Sequence, residues 1–366
     1  MIIFQRMAEY DYEELIFFQD RSTGLQAIVA IHNTALGPAL GGCRFWHYTS
    51  ERAAIDDVLR LARGMTYKAS VAGLNLGGGK SVIIGNPKTH KTEALLRAFG
   101  RFIHTLRGRY IVAEDVGTST EDMRIIHKET KYVVGLETTR GGSGDPSPVT
   151  AYGVLHGMKA CARAVFGTGN LGGLTVAIQG AGNVGYHLAK YLAKEGARIM
   201  ITDIYKNKAR RVVDEFGAQY VNPDKIYSVK CDILSPCALG GILDDKSIRR
   251  LKCRIVAGSA NNQLKSDRHG DKVERRGILY APDYVINAGG LINVAEELRG
   301  YDRSRALRKA AGIYNAVARV IRIANKEEMP THLAADKMAE RRIERAQKVR
   351  TIHGARRKPL LRKTFT

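Results

Sequence analysis

The sequence predicts an α/β fold in two domains, and three observations carry that prediction. Short apolar, β-rich runs alternate with helical patterns along most of the 366 residues, the order expected when helices cover a sheet. A stretch rich in Gly, Pro and Ser, RGGSGDPSP at residues 140–148, breaks the alternation and reads as a hinge. Beyond it, an apolar run at 174–179 leads into GAGNVG and then a helical pattern. The expected domains are residues 1–139 and 140–330, each long enough for its own core, with a C-terminal segment at 331–366 folding back onto the first and a helical pattern from about Ser304 to Gln347.

Taken in order, LQAIVAI at 25–31 reads as a strand. In LGPALGGCRFW, Pro38, Gly41 and Gly42 read as a turn beside a second short strand. Ser50 is placed to cap a helix whose apolar residues Ala54, Val58, Leu61 and Met65 recur every three or four positions, with Lys68 about a turn beyond. A strand at 81–85, a helix at 92–106 and a strand at 110–115 follow. Asp115 closes that last strand, at the edge where open α/β sheets hold ligands.

The stretch GMTYKASVAGLNLGGGK, residues 64–80, carries two lysines twelve positions apart, Lys68 and Lys80, with four glycines between them. Glycine lets backbone approach a ligand closely. Two ammonium groups in one cleft repel, and burial adds to the effect, so one lysine can serve as a base while the other holds a carboxylate. A phosphate-binding loop is a poor match. That motif needs its second glycine five positions after the first, whereas Gly79 follows Gly73 by six, and it opens a helix, whereas here SVIIG reads as a strand. Solvated lysines flanking a simple turn remain the alternative at this point.

In the second half, LTVAIQ is a strand, GAGNVG opens the helix YHLAKYLAKEG, and ARIMITD is a second strand ending in Asp203. The acid stands 23 residues after Gly180, the full context of a Rossmann-type dinucleotide site. Gly180, Ala181, Gly182, Asn183, Val184 and Gly185 form the phosphate-facing turn, and the helix N-terminus supplies amides and positive dipole. Asp203 can accept both ribose hydroxyls and repels a 2′-phosphate, which favours NAD; Lys206, Lys208, Arg210 and Arg211 nearby leave room for NADP. CDILSPCALG, CRIVAGSANNQL and YVINAGGLINVAEE each read as a strand running into a loop. Ala260, Asn261, Asn262, Asn287 and Gly289 on those loops are candidates for cofactor or substrate contacts.

Composition narrows the classes. The hydrophobic share of 44% and charged share of 26% are ordinary for a globular protein. The N-terminus lacks a signal-peptide pattern, and no window is long and apolar enough to span a membrane. Five cysteines without a C-x-x-C pair suggest reduced thiols and a cytoplasmic location, and scattered histidines argue against a metal site. The net charge of +22 is densest from Arg341 to Lys363. No nucleic-acid motif accompanies it, so the tail is expected to serve assembly, and no specific nucleic-acid partner is expected.

These segments resemble the glutamate/leucine/phenylalanine/valine dehydrogenase superfamily, its leucine dehydrogenases in particular. The resemblance runs through LGPALGGCRFW, LARGMTYK, AGLNLGGGKSVI, AEDVGT, DPSPVTAYGV, GAGNVG, GSANNQL and APDYVINAGGLINVAEEL, over nearly the whole chain. It implies NAD-dependent, reversible oxidative deamination of branched-chain L-amino acids by a homo-oligomer, an octamer. An N-terminal substrate and assembly domain, a Rossmann-type NAD domain and an active-site cleft between them are implied too, with C-terminal helices returning to the first domain. By the same resemblance Lys80 is the general acid/base, Asp115 assists its proton transfer and Lys68 binds the substrate carboxylate. Gly41, Gly42 and Asn262 help hold the substrate, and Thr150 lines the nicotinamide side. Leu40, Ala113, Leu291 and Val294 shape the side-chain pocket. The chain departs from the family pattern at Cys43 and Phe45, where Thr and Met are usual, at Leu291, where Val is frequent, and in its basic charge.

Overall fold

A computed structural model describes residues 3–353, without the side chains of residues 140 and 350–353. Its contacts divide the chain into two compact units. The first comprises Met1–Gly144, Val294–Asp302 and Ala339–Thr366; the second comprises Asp145–Asn293 and Arg303–Met338.

The first unit opens with α1 (Ile3–Glu9), β1 (Glu14–Asp20), β2 (Leu25–Asn33) and β3 (Ala39–Trp46). It continues through α2 (Glu51–Val71), β4 (Gly77–Ile84), α3 (Glu93–Thr105), β5 (Tyr110–Glu114) and α4 (Thr120–His127). The sheet order is β1-β2-β4-β3-β5. The pairs β1–β2 and β2–β4 are antiparallel, whereas β3 runs parallel to β4 and β5. One face packs on α3 and α4 through Val29, Ile31, Phe45, Leu96, Phe99, Tyr110 and Met123. The other packs on α2 through Ile28, Ala30, Val58, Leu59, Ala62 and Val82.

Two local expectations change here. Gly41 and Gly42 lie inside β3 rather than in a turn, and residues 77–79 begin β4 rather than preceding it. The cause is close packing. A Cβ built on Gly78 would sit 2.0 Å from the amide nitrogen of Thr66, so only glycine lets α2 cross β4 at that height. One on Gly41 would sit 1.8 Å from the Gly79 carbonyl oxygen. The glycines mark strands pressed against neighbours, a use that composition alone does not separate from a turn.

The second unit starts with α5 (Ser147–Phe166), β6 (Thr175–Gln179), α6 (Asn183–Lys194), β7 (Arg198–Thr202), α7 (Lys206–Phe216) and β8 (Gln219–Tyr220). Then follow β9 (Ile233–Pro236), α8 (Asp245–Arg250), β10 (Ile255–Val256), α9 (Arg268–Arg275) and β11 (Leu279–Tyr280). The six strands are all parallel, in the order β11-β10-β9-β6-β7-β8. The order reverses between β6 and β9, where a doubly wound sheet opens its ligand crevice. YVINAGGLINVAEE is not a strand. It forms α10 (Asp283–Ile286), α11 (Gly289–Ala295) and a 3₁₀ turn (Glu296–Arg299), the strand falling just upstream at β11. Pro282 interrupts the backbone donors there, and Asp283 then opens a helical turn.

α12 (Arg303–Ala311) and α13 (Ile313–Glu327) lead to α14 (Thr331–His353). Within the first unit α14 grips the end of α2. The Arg342 guanidinium donates to the carbonyls of Ser70 and Leu74, both at 2.9 Å, and Ser70 Oγ donates to the Ala339 carbonyl. The densest cations of the C-terminus, Arg356 to Lys363, lie outside the described residues. Among the described residues no helix is long and apolar enough to cross a membrane.

Candidate active site

In the first unit β3, β4 and β5 bring Lys80, Asp115, Leu40, Gly41, Gly42 and Ala113 together. Lys80 is a β4 residue, buried, with Nζ 3.0 Å from Asp115 Oδ2. Asp115 follows β5 directly. Its amide donates to Thr118 Oγ1, and that hydroxyl donates on to the Cys43 carbonyl of β3, so the carboxylate is tied to the neighbouring strand. Gly42 pairs with Ala113 and Leu40 with Ile111 across β3 and β5. Tyr110 donates to the Gly41 carbonyl at 2.8 Å and takes a bond from Ser81, which holds this part of β3 in place.

Sequence reasoning missed one charged neighbour. Arg44 Nε donates to the same Asp115 oxygen at 3.0 Å, and its Nη1 donates to Asp57 of α2 at 2.8 Å. Burial raises the proton affinity of Asp115, but the charges of Lys80 and Arg44 and their hydrogen bonds outweigh it and hold the carboxyl below its ordinary range. The visible signal was an arginine that pairs with Val82, two residues after Lys80 on β4, which needed the strand assignment of GGCRFW to be read. Burial pushes the Cys43 thiol up to about 12, so it is no thiolate nucleophile. Lys68 sits half-buried in α2 two residues after Thr66, and Thr66 rests on Gly78, two residues before Lys80. The two lysines thus stand on elements in direct contact.

In the second unit the C-terminal ends of the strands gather the other candidates. Gly180 takes φ of +107°, a conformation side chains resist, and starts the turn into α6. A Cβ on Gly182 would meet nothing within 4 Å, which leaves the turn open, and no side chain caps the N-terminus of α6. Gly185 packs against the Gly180 carbonyl. Asp203 is engaged by the protein itself, accepting from the amides of Ala181 at 2.7 Å and Tyr205 at 2.8 Å. After β10, Ala260 donates its amide to Pro236, Asn261 accepts from Asn287, and Asn262 adopts φ of +51°. The buried oxygens of Gln179, Thr202 and Asn287 have no protein partner. An open glycine turn, uncapped helix amides and unclaimed buried acceptors at one sheet edge fit a dinucleotide. Thr150, in α5, spends its hydroxyl on the Pro146 carbonyl and lies beside Gly290. Leu291 is buried in α11, and Val294 is half-buried and belongs by its contacts to the first unit. No group of His, Cys, Asp and Glu among the described residues could hold a metal ion.

Residues 13–132 match the profile of the Glu/Leu/Phe/Val dehydrogenase dimerisation domain. Residues 141–205 and 200–351 match that of the Glutamate/Leucine/Phenylalanine/Valine dehydrogenases. The chain belongs to the glutamate/leucine/phenylalanine/valine dehydrogenase family. It is 60% identical to the leucine dehydrogenase of Thermoactinomyces intermedius over 96% of both chains, and 46% identical to the phenylalanine dehydrogenase of that organism over 96% of both. Among solved structures, L-tryptophan dehydrogenase from Nostoc punctiforme superimposes with a TM-score of 0.86 at 44% identity, covering 94% of this chain and 100% of that one. Membership makes this glutamate/leucine/phenylalanine/valine dehydrogenase an amino acid dehydrogenase with a nicotinamide cofactor.

Proposed function

We propose that the protein catalyses the NAD-dependent, reversible oxidative deamination of leucine, valine and isoleucine to their 2-oxo acids and ammonia. The buried Lys80–Asp115 pair carries this reading, in a chain 60% identical to a leucine dehydrogenase but 46% to a phenylalanine dehydrogenase.

In this mechanism Lys68 holds the substrate carboxylate, assisted by Asn262 and the backbone at Gly41 and Gly42. Lys80 accepts the proton that leaves the substrate ammonium, since only the neutral amine can donate electrons to the carbon losing hydride. When bound, the nicotinamide supplies the hydride acceptor. The proton on Lys80 then passes to solvent, so that neutral Lys80 can take a proton from the water that adds to the iminium carbon and return it to the amine, which leaves as ammonia when the carbinolamine collapses to the 2-oxo acid. Asp115 remains ionised throughout and stabilises Lys80 whenever it is charged. The cofactor is assigned to residues 180–185, Asp203, Ala260, Asn261 and Thr150, with Asp203 favouring NAD over NADP.

Leu40, Ala113, Leu291 and Val294 are assigned to the side-chain pocket. All four are apolar, so a polar or charged substrate side chain would be buried without a partner, at a cost of a few kcal/mol. Leu291 in place of the commoner Val narrows the pocket and shifts preference towards valine. One methylene is worth about 1–3 kcal/mol, so the three substrates stay within roughly tenfold of one another in kcat/KM. The proposal includes an octamer, as the dimerisation-domain match supports assembly, and a cytoplasmic location, which five free thiols support. The test is product stoichiometry. Purified protein given L-leucine and NAD should form NADH, ammonia and the 2-oxo acid in equal amounts. Faster turnover of phenylalanine or glutamate than of all three branched substrates would overturn the assignment.

A further inference from the structure

We propose that Arg44 is a positioning residue for this reaction, holding Asp115 for Lys80 through an ion chain that runs Lys80–Asp115–Arg44–Asp57 and sets the pH at which the enzyme works. The inference rests on the function proposed above.

The geometry is specific. Lys80 Nζ and Arg44 Nε both lie 3.0 Å from the same oxygen, Asp115 Oδ2. Arg44 uses a different nitrogen, Nη1, for Asp57 Oδ2 at 2.8 Å. Its planar fork therefore spans two carboxylates from two elements, the end of β5 and α2, which the single point donor of a lysine cannot do. Asp57 is fixed in turn by Tyr48 on its Oδ2 at 2.8 Å and by Arg60 on its Oδ1 at 2.7 Å. The side chains of Arg44, Asp57 and Asp115 are about one-fifth exposed, and that of Lys80 is 6% exposed. Screening by water is weak there, so charges a few ångströms apart act on one another strongly.

The consequence concerns protons. Arg44 stays charged under all working conditions. Its cation beside Asp115 weakens the hold of the Lys80–Asp115 pair on their shared proton, and the anion of Asp57 partly offsets it. Among the described residues Asp115 also acts on Cys43 of β3, on Tyr48 just after it and on Tyr110 of β5, and Asp122 of α4 acts on Cys43. Cys43 is pushed up to about 12 by burial, and burial also raises both tyrosines, so neither the thiol nor the two phenols lose a proton near neutrality. Lys68 of α2 is the remaining cation that the proposed reaction assigns here. The proposed reaction needs Lys80 to take up a proton, so the charges that Arg44 and Asp57 place around the pair bear on how the deamination rate rises with pH.

The experiment is the pH profile of kcat/KM for L-leucine with NAD, in wild type and three variants. Arg44→Met should move the midpoint of the rise upward by on the order of one pH unit, because one cation fewer lets the pair keep its proton longer. Asp57→Asn should move it the other way by a few tenths of a unit, since the offsetting anion is gone. Arg44→Lys keeps the charge and loses the fork; its midpoint should stay near wild type while kcat falls several-fold. Opposite shifts from the two neutralising substitutions support the inference, and if Arg44→Met does not fold, a downward shift in Asp57→Asn supports it alone. Lower rates with every midpoint unmoved would mean that Arg44 is only structural and would overturn it. Wild type that forms no NADH from any branched-chain amino acid would instead overturn the proposed function, and the inference with it.

Discussion

The two sheets use polar groups in opposite ways. Around β4 of the first unit the charged side chains satisfy one another: Lys80 and Arg44 share Asp115, and Asp57 takes the rest of Arg44. At the C-terminal edge of the second sheet, the oxygens of Gln179, Thr202 and Asn287 are buried without protein partners, and the amides opening α6 have no side-chain cap. A buried polar group left unpaired costs about 1–3 kcal/mol, so the second edge is costly to maintain until a ligand supplies partners. The first cluster is internally paired and the second is left open to partners, which suits the proposed division between proton chemistry in the first and cofactor binding in the second. Glycine follows the same division. Gly78 is needed because backbone presses on backbone, whereas Gly182 faces open space.

This contrast can be broken most severely at those two glycines. Gly78→Ala puts a methyl 2.0 Å from the Thr66 amide, and α2 must move off β4. The expected loss exceeds the roughly 1–3 kcal/mol of ordinary overpacking, and soluble folded yield should collapse. Gly182→Ala should fold normally, with an unchanged melting temperature, and lose NAD affinity. Equal melting temperatures in the two variants would contradict the contrast.

A smaller effect should come from His32, which joins β2 to α2 in the first unit. Its Nε2 donates to the Tyr10 carbonyl at 3.0 Å and its Nδ1 accepts from Thr66 at 2.8 Å, so the ring is held neutral. Burial lowers its proton affinity to about 4, from 6.5. The unfolded chain therefore binds this proton first as pH falls. The contribution is complete above the unfolded value and is lost between pH 6.5 and about 4, amounting to about 3 kcal/mol in all. Denaturant titrations at pH 7.5 and 5 should show the decline, and His32→Gln, which bonds without titrating, should flatten it. An equally steep decline in the variant would assign the loss to other groups.

The smallest effect is expected at the second edge. Asp203→Ser removes the carboxylate that accepts from Ala181 and that repels a 2′-phosphate. The ratio of NADP to NAD use should rise by on the order of tenfold, about 1.4 kcal/mol. A wild type that already uses both cofactors equally would contradict this role for Asp203.

Much of this was legible in the sequence, for identifiable reasons. The turn at 180–185 is a local pattern: strand, glycines, helix and acid follow one another, and the structure reproduces that order. Lys80 stood out as one of two lysines flanking a run of glycines and Asp115 as the acid closing an apolar strand, and the structure brings the two within 3.0 Å of each other. Arg44 was not, because its partners Asp57 and Asp115 are 13 and 71 positions away, and only strand pairing joins them. Gly41 and Gly42 were read as a turn, and the glycines at 77–79 as backbone open to a ligand or a simple turn, because sequence shows their freedom but not the neighbour that requires it. The segment 284–297 misled for the converse reason: its apolar residues suit a buried strand or a short buried helix equally, and Pro282 with Asp283 decided for the helix.

The central claim is that proton chemistry resides in the Lys80 side chain and cofactor binding in a separate set of groups. Lys80→Ala measures both at once, by NAD titration and by steady-state deamination of L-leucine. The account predicts an NAD dissociation constant within about threefold of wild type, or about 0.7 kcal/mol. It predicts a kcat reduced by on the order of 10²–10⁴. A variant that keeps more than about a tenth of wild-type kcat, where loss of a positioned base costs at least about a hundredfold, would show that another group is the base.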